Sequence, residues 1–120
     1  MRPRMQLPSR FEQLRDAIAN LAAPADQQDQ HLTNQGFTAD YGNDELALEF
    51  DDIFHAARLM EDAGELTPGQ REAASPLDDL LKQWSGSSHA NFWRREALWS
   101  DARWDEVRRV AREALTAYTK

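Results

Sequence analysis

The sequence predicts an all-α fold: one domain over residues 1–120, built as a bundle of five or six short helices. Three observations point there. Two capping-box patterns, Ser9-Arg10-Phe11-Glu12 and Thr67-Pro68-Gly69-Gln70, mark helix starts, because a hydroxyl and a side-chain carbonyl three residues on satisfy orphan N–H groups reciprocally. Apolar residues recur every three or four positions in several stretches, the period of one helix face. No stretch alternates apolar and polar residues as a half-buried strand would. A chain of 120 residues can bury one core and has no room for a second.

The first helix follows Ser9, with Phe11, Leu14, Ile18 and Leu21 on its apolar face. Pro24 suits a first helical position, and the polar segment Ala25–Gln35 stops at Gly36. Phe37–Gly42 reads as a loop. Asn43 can cap the next helix, whose first turn holds Asp44 and Glu45, and which is expected to run to Ala63 before Gly64. Ser75-Pro76 lies inside the element that starts at Thr67, so either one helix kinks there or two short helices abut. Leu77, Leu80, Leu81 and Trp84 form its apolar face. Ser85-Gly86-Ser87-Ser88 is the clearest break and is short enough to be an interhelical loop. Phe92–Trp99 reads as a short helix. Ser100 can cap the last one, where Trp104, Val107, Ala111, Ala114, Leu115 and Tyr118 share a face.

Composition narrows the function. There is no cysteine, which removes disulfides, thiolate metal sites and cysteine nucleophiles together. Met1–Pro8 begins basic, but no apolar run follows that would make a secretory signal, and no stretch has the length of a membrane span. A cytoplasmic location without membrane contact is expected. The net charge of −7 is concentrated: Asp40, Asp44, Glu45, Glu49, Asp51, Asp52, Glu61, Asp62 and Glu65 stand in one window with a single base, Arg58. Phosphate backbones would be repelled, so direct nucleic-acid binding is not expected, whereas basic protein surfaces would be attracted.

Catalytic patterns are sparse. Asp52 and His55 share the i, i+3 spacing of a carboxylate–imidazole metal pair, but His31 and His89 lack an acid three residues before them. Glu45, Glu49, Asp52 and Glu61 could imitate the magnesium motifs of an all-helical nucleotide pyrophosphatase, although Glu61 falls near a helix end beside Gly64. No serine stands in a nucleophile elbow, and no glycine-rich phosphate loop is present. The C-terminal third holds Trp84, Trp93, Trp99 and Trp104 with Arg94, Arg95, Arg103, Arg108, Arg109 and Arg112. Interleaved acids favour arginines packed over indole faces rather than a single-strand RNA platform. The expectation is a non-enzyme without metal or cofactor.

The most informative segment is Asp44–Ala63. Laid out at about 100° per residue, Leu46, Ala47, Phe50, Ile53, Phe54, Ala57 and Met60 fall on a core side. Opposite them fall Asp44, Glu45, Leu48, Asp51, Asp52, His55, Leu59 and Asp62. Two leucines within a row of acids make apolar anchors inside an electrostatic patch, a combination suited to a basic cleft.

The segment Asn43-Asp44-Glu45-Leu46-Ala47-Leu48-Glu49-Phe50-Asp51-Asp52 and the tail Trp104–Leu115 resemble small bacterial immunity proteins. These neutralise nuclease toxins of the contact-dependent growth-inhibition and colicin type. The resemblance covers roughly half the chain and implies an all-α inhibitor bound 1:1 to the C-terminal nuclease domain of a toxin, a tRNA- or DNA-cleaving enzyme with a basic cleft. Asp44, Glu45, Asp51, Asp52 and Asp62 would then supply charge, and Leu48 and Leu59 apolar contacts. The arginine-rich tail departs from that picture. A metal-dependent nucleotide hydrolase and a helical adaptor acting through the exposed leucines remain as alternatives.

Overall fold

The computed structural model describes residues 9–37 and 40–119. The basic Met1–Pro8 segment and part of the Phe37–Gly42 loop lie outside them. The described residues form seven α-helices, against five or six expected, and no strand: α1 Arg10–Ala22, α2 Ala25–Asn34, α3 Asn43–Phe54, α4 Ala57–Asp62, α5 Pro68–Gln83, α6 Ala97–Ser100 and α7 Ala102–Leu115. A 3₁₀ segment, Ser87–Trp93, joins α5 to α6.

Both capping boxes form. Ser9 Oγ accepts from the Glu12 N–H at 3.1 Å while Glu12 accepts from the Ser9 N–H at 2.9 Å. Thr67 and Gln70 exchange the same pair of bonds at 3.0 Å each. Gln70 also ties the start of α5 to the end of α7: its Nε2 donates to the Ala117 carbonyl, and its own carbonyl accepts from the Tyr118 hydroxyl at 2.8 Å. One helix runs through Pro76, which resolves the alternative left open at that position.

Several expectations need correction. Asp44–Ala63 is two helices, broken where Ala56 adopts φ −92° and ψ 7° and its N–H bonds back only three residues, to Ile53. No glycine or proline signals this break, and the apolar pattern continues across it because Ile53, Ala57 and Met60 are all buried. Pro24 precedes the first turn of α2 instead of starting it. Asn43 does not cap α3. Its side chain donates to the Arg94 carbonyl at 2.6 Å, and the cap position is Gly42, at φ 118°. A Cβ there would meet Phe37 Cβ at 3.0 Å and Arg95 Nη2 at 3.2 Å, so only glycine fits without strain. Asp101 caps α7 in place of Ser100, accepting from the Arg103 N–H at 2.9 Å. Phe92–Trp99 is the end of the 3₁₀ segment and the start of α6 rather than one helix.

The core centres on α1, which packs against α3 on one side and α7 on the other, while α5 covers the far side of α7. Leu14, Ile18, Leu46, Phe50, Leu77, Phe92 and Trp104 are fully buried. The Trp104 ring stacks on Phe92 with centroids 4.5 Å apart, and its indole N–H donates to the Phe92 carbonyl at 2.7 Å. Arg103 lies over Trp84 at 5.0 Å, as the arginine–indole reading expects.

Two arginines are buried. Arg108 donates to Gln28 Oε1 at 2.8 Å and to the Leu98 carbonyl at 2.9 Å, and Gln28 in turn bonds the carbonyls at the end of α1. Arg95 donates to Asp29 at 2.6 Å and to the carbonyls of Phe37 and Tyr41. Replacing Arg95 with methionine leaves those acceptors unmatched. The expected loss is about 2–4 kcal/mol, tempered by the partial exposure of Asp29. Urea unfolding should show it, with Arg95→Lys recovering only part because an ammonium cannot span the fork; an unchanged midpoint would contradict this account.

Candidate functional site

The first turn of α3 is set by contacts from both sides. Gly42 turns the chain into the helix, Asn43 is anchored to Arg94, and the Arg95 N–H donates to the Asp40 carbonyl at 3.0 Å. From this fixed start α3 runs alongside α5, but the two helices do not pack closely on each other, since both are packed onto the α1–α7 pair. The space between them is an open groove of about 640 Å³.

Asp44, Ala47, Leu48, Phe50 and Asp51 form one wall of this groove, and Asp78, Leu81 and Lys82 the other. Ser85–Ser87, Ala90 and Trp93 close one end, with Tyr41 at the margin. The lining is mostly apolar, yet Tyr41 is 55% and Leu48 43% exposed. Lys82 pairs with Asp78 at 2.9 Å across one turn of α5, which raises the ammonium pKa. The Asp44 and Asp51 carboxylates accept no hydrogen bond from any described residue, and with Asp78 against Lys82 the described lining carries net negative charge.

Leu48 and Leu59 are both exposed, Leu59 at 63%. The eight residues singled out on the acidic segment nevertheless do not form one patch. Asp44, Leu48 and Asp51 wall the groove. Asp52 lies on the opposite flank of α3, in a polar depression with Asp16, Asn20, Gln35 and Glu49. His55 sits at the break, and Leu59 and Asp62 lie beyond it on α4. Glu45 is half-buried, and burial followed by repulsion from Asp44, Glu49 and Asp52 pushes its carboxyl pKa up.

The carboxylates considered for magnesium are not assembled. Glu61 pairs with Arg71 of α5 at 3.2 Å. Glu49 meets His31 Nε2 at 2.8 Å and accepts from Gln35 at 2.9 Å, forming a polar tie between α2 and α3. Among the described residues no three histidine or acidic side chains converge so as to hold a metal ion. The same residues include no helix long and apolar enough to cross a membrane.

No family model, curated protein or solved structure matches the chain.

The arginines of the C-terminal third are engaged with carboxylates, carbonyls and rings, Arg94 at the margin of the groove itself. Arg95 and Arg108 are interior. Arg103 chelates Asp101, and Arg109 bridges Glu106 and Glu113. Arg94 lies over the Tyr41 ring at 5.5 Å and pairs with Glu96. The basic tail therefore forms no continuous basic surface through these residues. The groove's second wall and Trp93 were invisible to sequence reading, which treats one helix at a time; the Asp78–Lys82 spacing shows a local ion pair but not what it faces.

The raised Glu45 pKa has a sign. The folded state holds the proton more tightly than the unfolded chain, so stability falls as pH rises above the ordinary value of 4.5, and the full penalty applies above the folded pKa. Glu45→Gln removes one like-charge i, i+4 pair, with Glu49. It should stabilise the protein at neutral pH by about 0.3 kcal/mol and confer no advantage at pH 4, measured as paired melting curves. A variant less stable than the parent at pH 7 would show that the favourable field of the first helical turn outweighs the repulsion.

Proposed function

We propose that this protein is an immunity-type inhibitor that binds a basic nuclease domain, the toxic domain of a delivered effector, in a 1:1 complex within the cytoplasm. It acts by occupation and performs no catalysis. The observation that carries the reading is Leu48, an exposed leucine between the unpaired carboxylates of Asp44 and Asp51 on the rim of a largely apolar groove. An exposed apolar side chain has binding value only once a partner desolvates it, which is worth about 1.5–3 kcal/mol. Carboxylates around it accelerate encounter with a cationic surface and disfavour neutral or acidic partners.

The internal pairing of the arginines supports the same reading. Those arginines are held by Asp29, Asp101, Glu106 and Glu113, so they do not neutralise the Asp44 and Asp51 carboxylates of α3. A nuclease cleft built to hold phosphates presents the complementary charge, and an acidic helix lying over it excludes the substrate.

The test is whether a nuclease domain is encoded beside this gene and associates with the protein, followed by stopped-flow mixing. Asp44→Lys combined with Asp51→Lys should slow association by about tenfold or more at low salt and by much less at high salt, because the lost attraction is screened. Rates indifferent to the double reversal would remove the acidic face of α3 from the interface.

A further inference from the structure

We propose that the groove between α3 and α5 is the seat of a basic amphipathic helix from the partner, which lays apolar side chains into the groove and its lysines or arginines against Asp44 and Asp51. This rests on the reading above and narrows it from an acidic face to one binding mode.

Three features carry the inference. First, both walls are helices, packed on the α1–α7 pair but not on each other. A third helix would complete the layer, since helices nest ridge into groove at spacings of about 8–10 Å. Second, Ala47, Leu48 and Trp93, backed by the buried Phe50 and Leu81, give an apolar lining of the kind that receives the i, i+4 anchors of a docked helix. Third, the charges are acidic on both walls, and Lys82, the one cation among the described lining residues, is already paired with Asp78.

That charge pattern selects the occupant. A neutral ligand would leave Asp44 partly desolvated without counter-charge and Asp51 with only Lys82, which Asp78 already holds, and that is costly. A second copy of this chain would bring acid against acid, in a protein of net charge −7. A helix with cations flanking its apolar ridge satisfies both requirements.

The experiment uses the full chain and a fluorescein-labelled synthetic helix with leucines at i, i+4 and i+7 and lysines on either side of that ridge. Binding is read by anisotropy. Two control peptides replace the leucines by serine or the lysines by glutamate. The leucine–lysine helix should bind, and each control should bind at least about tenfold more weakly, the loss expected for one buried leucine or its charge partners. Leu48→Asp should weaken binding similarly, whereas Leu59→Asp, on α4 and outside the groove, should not. Both leucines are exposed, so both variants should fold.

Equal binding of the serine and leucine peptides would overturn the groove proposal while leaving the acidic-face reading intact. Binding that ignores Asp44→Lys with Asp51→Lys would sink both. A dimer seen by sedimentation and abolished by Leu48→Asp would assign the groove to a second copy. Nuclear Overhauser contacts from residues 1–8 to Leu48 or Trp93 in the free chain would assign it to the protein's own N-terminal segment. Either of these also overturns the proposal.

Discussion

Arg95 carries its charge into the interior and gathers there the pieces that fix the start of α3. Its guanidinium bonds Asp29 on α2 and the carbonyls of Phe37 and Tyr41, at both ends of the connection between α2 and α3. Its backbone N–H takes the Asp40 carbonyl, and the preceding residue's carbonyl takes Asn43. A buried cation is tolerable only when nearly all its donors are matched, so the connection has little freedom to rearrange around it. Gly42 meets the same demand sterically, because the guanidinium and Phe37 leave no room for a side chain. The start of α3, and with it one wall of the groove, is thus held from outside the helix by Arg94 and Arg95.

Arg108 plays a comparable part close by, through Gln28, the residue before Asp29 on α2. With Gln28 it ties α7 to the end of α1 and to the Leu98 carbonyl near α6. The aromatic cluster of Phe92, Trp93 and Trp104 locks the 3₁₀ segment onto α7. With both ends of the 84–101 stretch held in this way, Trp93 packs against the core and also lines the end of the groove.

Features with a short-range cause were legible in the sequence. The capping boxes at Ser9 and Thr67 need only residues three apart. The buried face of α3 follows from helical period, and Leu48 and Leu59 stand outside it as that period requires. What failed depended on residues distant in sequence. Asn43 has the chemistry of a cap, but its side chain is claimed by Arg94, fifty-one positions on. The turn at Ala56 has no local signal and divides an apparently continuous acidic face, so that Leu59 and Leu48 serve different surfaces. Ser100 has the chemistry of a cap, but Asp101 takes the position, accepting the Arg103 N–H and pairing with its side chain. The arginine-rich tail looked like a basic surface because sequence gives charge but not partners.

The groove's rim and the scaffold beneath it answer to separate sets of residues. Asp44, Leu48 and Asp51 are exposed, whereas Arg95 and the core are buried. Substitutions at the rim can therefore accumulate with little effect on folding, and a lineage can exchange one recognition specificity for another while the architecture stays constant. Such a molecule is suited to chasing a changing adversary.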